Sequence, residues 1–127
     1  MVFQSAKRVF VIFCLFAFGP VTMALAGEAD VVQVKVTKQA SGTYRFDVTV
    51  SHADEGWDHY ADKWIVTDRD GTVLGERVLH HPHVNEQPFT RSLSGVSIPA
   101  GIDTVYVKAQ DSVHEWGGRD FEVTVPR

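Results

Sequence analysis

An alternation of period two constrains this chain more than any other feature. Val32, Val34 and Val36 alternate with Gln33, Lys35 and Thr37. After Ala40-Ser41-Gly42, Tyr44, Phe46, Val48 and Val50 alternate with Arg45, Asp47, Thr49 and Ser51. Successive side chains of a strand point to opposite faces, so this pattern buries one face and wets the other; a helix would need a repeat near 3.6. The same reading gives short strands at Lys63–Asp68, Thr72–Leu79, Phe89–Leu93, Thr104–Ala109 and Asp120–Val125. In Lys63–Asp68, Trp64 and Val66 face one way and Ile65 and Thr67 the other. Asp68-Arg69-Asp70-Gly71 is a turn, because Asp-Gly tolerates the positive φ of tight hairpins, and Pro82 and Pro88 punctuate the loop His80–Pro88. No segment after residue 26 carries an amphipathic helical pattern. Seven short strands with turns between them predict an all-β fold, an immunoglobulin-like antiparallel β-sandwich, with Trp64 on the third strand in its core.

The first 26 residues carry a different pattern. Lys7 and Arg8 precede the apolar run Val9–Phe18, Gly19-Pro20 breaks it, and Ala24-Leu25-Ala26 fits a small-x-small cleavage site. Residues 1–26 are therefore expected to be a cleaved signal peptide and 27–127 a single sandwich domain, periplasmic or secreted, with no membrane association after cleavage. A run of this length is short of the roughly 20 apolar residues that span a bilayer. Cys14, between Phe13 and Leu15, lacks the small neighbours of a lipid-attachment cysteine.

Cleavage changes the available chemistry. Cys14 is the single cysteine, and Met1 and Met23 are the two methionines, so residues 27–127 contain no sulfur. A disulfide, a thiolate nucleophile and a blue-copper site are all excluded. With Lys7 and Arg8 gone, ten of the twelve basic residues remain against sixteen acidic ones. That balance argues against binding nucleic acid through charge.

All six histidines fall outside the strand interiors, and strand direction assigns their loops. The second strand ends at Ser51, so Ser51–Asp62 (His52, His59) lies at one pole. The third strand leaves that pole and the fourth returns, delivering His80, His81 and His83. The Thr104–Ala109 strand brings the loop with His114 to the same end. Converging imidazoles with oxygen ligands suit a divalent transition metal such as Cu²⁺, Zn²⁺ or Fe²⁺. The candidate ligands are His52, His59, His81, His83, His114 and Asp111, with Asp54, Asp58 and Glu86 as further carboxylates that would ligate or orient the rings. Trp57 and Trp116, in the same loops, are expected to pack over the end of the sandwich. Ser112 lies too close in sequence to His114 and Asp111 to build a hydrolytic triad with them.

His52, Asp58-His59-Tyr60 and Trp64 resemble the H-P-M…H-Y-I-x-W segment of superoxide reductases, the desulfoferrodoxin and neelaredoxin group. Asp111-Ser112-Val113-His114-Glu115-Trp116 resembles their C-x-x-H-G-x-W segment. The resemblance covers Ser51–Trp116 and implies an immunoglobulin-like iron domain, in which His52, His59 and His114 match ligand positions. Three departures stand against it: Asp111 occupies the cysteine position, the first strand has no histidine, and His59 and Trp64 are one residue further apart. Superoxide reduction is accordingly not expected. The same span, particularly Asn85–Leu93 with Pro99–Val107, is similar to the small subunit of the Sox sulfur-carrier complex, which implies a cofactor-free module docking another exported protein. The sequence thus leaves three functions open: a metal-binding protein in metal handling or an accessory redox role, a protein-interaction carrier, and a mononuclear non-haem metal oxidoreductase. The first leads, and the chain is not expected to be an enzyme in its own right.

Overall fold

The computed structural model describes residues 27–127; the expected signal peptide lies outside the described residues. The described chain consists of strands and loops, without a helix: β1 (Asp30–Lys38), β2 (Tyr44–Ser51), β3 (Ala61–Thr67), β4 (Val73–Val78), β5 (Phe89–Val96), β6 (Thr104–Asp111) and β7 (Phe121–Thr124). They form two antiparallel sheets, one in the order β1-β2-β5 and the other β4-β3-β6-β7. The two sheets close on one core.

That core is the set the alternation marked. Tyr44, Phe46, Val48 and Val50 of β2 are fully buried, as are Val105 and Val107 of β6 and Trp64 and Val66 of β3. Each apolar side chain so buried contributes about 1.5–3 kcal/mol, which lets a domain without crosslinks hold together. Phe121 and Val123 pack against the core from β7. The turn after β3 is built as expected: the Asp68 carboxylate accepts from the N–H groups of Asp70 and Thr72, and Gly71 takes φ +84°.

Two details of the alternation differ. Ile65 and Thr67, which face away from Trp64, are also buried, on a strand flanked at both edges by β4 and β6. β6 runs two residues beyond Ala109 and pairs Gln110 with Lys63 and Asp111 with Ala61. The inward sequence Val105, Val107, Ala109 therefore continues to Asp111. On β2, Tyr44, Phe46, Val48 and Val50 lead in the same way to His52. Two polar residues stand where the next core side chains would be.

Candidate metal centre

Position and burial follow from that register. Asp111 has no solvent exposure and His52 only 4 %, and His59, which enters two residues before the inward Ala61, is 8 % exposed. One ligand atom from each of the three lies within 4.8 Å of the others. His59 Nε2 is 3.3 Å from Asp111 Oδ1, and His52 Nε2 is 3.8 Å from Asp111 Oδ2. His114 closes the outer side from the rim: its Nδ1 is 3.2 Å from His59 Nε2 and 3.2 Å from Asp111 Oδ2.

The loops hold these rings by local bonding. Gly56, at φ +100°, lets Glu55–His59 close on itself, with Glu55 N–H donating to the His59 carbonyl and His59 N–H to the Gly56 carbonyl. After β6 the Asp111 Oδ1 accepts from the N–H groups of Val113 and His114, which folds the chain back and swings His114 over its own anchor. Ser112 ties the two loops: its N–H donates to the Tyr60 carbonyl, and its hydroxyl accepts from Tyr60 N–H.

Asp54 is the residue that fixes His52. Its Oδ1 accepts from His52 Nδ1 at 2.6 Å and from Ala61 N–H at 3.1 Å, and its Oδ2 accepts from His83 N–H at 2.7 Å. With the proton held on Nδ1, the His52 Nε2 lone pair points inward. That atom is buried and has no hydrogen-bond partner among the described residues. A carboxylate behind an imidazole is the usual way a metal-binding ring is oriented and made more basic. Gln87 braces the same region, accepting from His52 N–H and donating to the His83 carbonyl.

The electrostatics point the same way. Burial by itself would push the Asp111 carboxyl up. The N–H groups of His114 and Val113, with the imidazoles of His114 and His52, outweigh it and hold the group below the ordinary aspartate range. Asp111 is thus an ionised, buried carboxylate, and among the described residues no lysine or arginine pairs with it. An unpaired buried charge is costly; a bound cation or a protonated imidazole removes that cost.

The six histidines do not form one cluster. The structure brings His52, His59, His114 and Asp111 together and leaves His81 and His83 on the far side of Asp54. His83 is 5 % exposed and stacks on Phe89 with ring centroids 4.0 Å apart, and its Nδ1 is 4.0 Å from Asp54 Oδ2. Burial pushes its imidazole down, reinforced by Arg91 and His81. His80 and His81 are exposed. Asp58 is exposed as well, and Glu86 pairs with Arg91 at 3.0 Å. The expectation that the two loop tryptophans pack over the end of the sandwich is corrected: Trp57 is 68 % and Trp116 44 % exposed. Trp57 meets Tyr60 edge to face, and Lys63 lies over Trp116, so both rings pack on neighbours at the rim. Sequence reasoning missed Gln87, which carries no local signal. At the opposite end, a cleft of about 270 Å³ lined by Asp68, Asp70, Ile102 and Asp103 has solvated carboxylates, and Asp68 is already engaged by its own turn.

No known family model matches the chain, and no solved structure does. A protein of Halomicrobium mukohataei described as "Putative lipoprotein" is 40 % identical over 96 residues, covering 76 % of this chain and 47 % of that protein. The chain thus spans about half the length of the curated relative it matches.

Proposed function

We propose that this is an exported β-sandwich protein of immunoglobulin-like type that binds one divalent transition metal through His52, His59 and Asp111, with His114 as the ligand at the rim. The observation that carries the reading is the buried His52 Nε2, without a hydrogen-bond partner among the described residues and 3.8 Å from an Asp111 that no lysine or arginine of those residues neutralises. Two or three imidazoles and one carboxylate, without sulfur, suit Zn²⁺, Cu²⁺ or Fe²⁺. The ligand atoms need to close by about 1 Å to reach the spacing that metal bonds of roughly 2.0–2.2 Å impose. The name of the Halomicrobium relative supports export, whether the product is released or anchored, and fits the leader pattern of residues 1–26.

Charge around the pole favours metal handling over turnover of an anion. The loops that carry the histidines also carry Glu55, Asp58 and Glu115, with Glu55 Oε2 3.5 Å from His59 Nδ1, and Asp62 and Lys63 follow at the start of β3. A field of that sign draws cations in and repels anions such as superoxide. His52, His59 and His114 are also the positions matched by the superoxide-reductase resemblance, and Asp111 stands where that family has its cysteine, which supports a rebuilt metal site without the axial thiolate. A docking role is favoured by one further observation: Trp57, Val113 and Trp116 stand exposed around the same rim, a surface fit for another exported protein.

Titration calorimetry of the untagged protein with Zn²⁺ at neutral pH tests the reading. Uptake by the wild type and its loss in Asp111→Asn support it; no uptake by a folded wild type refutes it. A carrier that only docks would bind its partner equally well in chelator.

A further inference from the structure

Resting on that reading, we infer that the pole holds a second and separate metal site, formed by His81 and His83 and built for a divalent ion that accepts imidazole ligands. The first observation is the state of His83. Its ring and backbone are both held: Phe89 stacks on the ring with the planes 10° apart, the backbone N–H donates to Asp54, and the backbone carbonyl accepts from Gln87. Yet Nδ1 and Nε2 are both buried without a hydrogen-bond partner among the described residues. A core aromatic would fill that space without stranding two polar atoms. A ring held in place with free nitrogens is what a preorganised ligand requires.

The second observation is His81. Its ring centroid lies 4.6 Å from that of His83, tilted by 40°. Its Nδ1 faces the Pro82 carbonyl at 3.1 Å, an acceptor, so the proton sits on Nδ1 and the Nε2 lone pair is left for a ligand. His81-Pro82-His83 thus presents one exposed and one buried imidazole side by side, with proline stiffening the link. Water would complete the coordination, and imidazole nitrogen suits Cu²⁺ and Zn²⁺. Both sites share Asp54, which holds His52 through Oδ1 and His83 through Oδ2. The exposed His81 makes this the entry side and the three-ligand centre the buried side. With two protein ligands against three or four, the outer ion is the weaker one.

Calorimetric titration of the untagged protein with Zn²⁺, repeated with Cu²⁺, tests the inference. Two equivalents are expected, a tighter and a weaker. His81→Ala, a change at an exposed side chain, and His83→Phe, which keeps a ring on Phe89, should each remove the weaker equivalent alone. Asp111→Asn should remove the tighter alone. One equivalent in the wild type, lost in Asp111→Asn, overturns the second site and leaves the first. Two equivalents that both survive His81→Ala and His83→Phe also overturn it. No uptake at all removes both.

Discussion

Replacing Asp54 by asparagine isolates the residue on which the geometry of the pole depends. Its carboxylate is fully buried and receives three donors: His52 Nδ1, the N–H of Ala61 and the N–H of His83. Asparagine keeps the shape and one oxygen. With that oxygen placed toward His52 and Ala61, the new NH₂ meets the His83 N–H, donor against donor. One buried donor stripped of its partner costs about 1–3 kcal/mol, and weakening the charge-assisted bond to His52 adds roughly 1 kcal/mol. The loss is about 2–4 kcal/mol, survivable within a stability of about 5–15 kcal/mol. At roughly 4–8 °C per kcal/mol for a domain of this size, the melting midpoint falls by about 8–32 °C, read by near-ultraviolet dichroism of the buried Trp64. Because a neutral amide oxygen holds the His52 Nδ1 proton more weakly than the carboxylate and leaves the ring less basic, metal affinity drops by about 10–100-fold. Asp58→Asn, an exposed change in the same loop, serves as the control and stays within about 0.5 kcal/mol of wild type. A variant Asp54→Asn as stable as that control, binding metal as tightly as wild type, would refute the assignment of Asp54 as the anchor of both loops.

Two further outcomes follow from the same structure. In chelator, stability should fall as pH is lowered through the ordinary histidine value of 6.5, because His83 is held below it and the unfolded chain takes up a proton that the folded chain refuses. The decline continues down to the folded-state value, and urea midpoints from about pH 8 to about pH 5 should lose this component in His83→Phe. The Asp111 contribution lies lower: its carboxyl is depressed from 3.8, so its stabilisation is fully present above that value and is lost as pH falls through the folded one. Gly118→Ala should destabilise by about 1–3 kcal/mol, since a Cβ there would collide with the Ala29 backbone carbonyl; an unchanged urea midpoint would show that the segment before β1 moves aside freely.

Much of this was legible before any coordinates. Strand alternation and direction sufficed to bring His52, His59 and His114 to one pole, because parity depends on counting strands and not on their exact ends. What the sequence concealed depends on loop geometry. His59 faces inward only because β3 shifts register between Ala61 and Lys63, and a reading that starts the strand at Lys63 cannot see the shift. Asp54 and Gln87 act through backbone N–H and carbonyl groups of residues up to 35 positions away, contacts with no periodicity. The division of the histidines into two groups likewise arises from Asp54 standing between them.

The most informative signal was available and lies where alternation outlasts hydrophobicity. Val48, Val50, His52 and Val107, Ala109, Asp111 are each a continued inward register in which a core position is given to a polar side chain. Valines in those two slots would add roughly 1.5–3 kcal/mol of burial apiece. They would also strip the N–H groups of Val113 and His114 of the Asp111 carboxylate and the buried Asp54 carboxylate of His52, at about 1–3 kcal/mol for each group left unpaired. An imidazole and a carboxylate at the end of two core rows, with a second carboxylate bonded to the imidazole, are the reason the proposed site is set at this pole rather than at the solvated cleft beside Asp68 and Asp103.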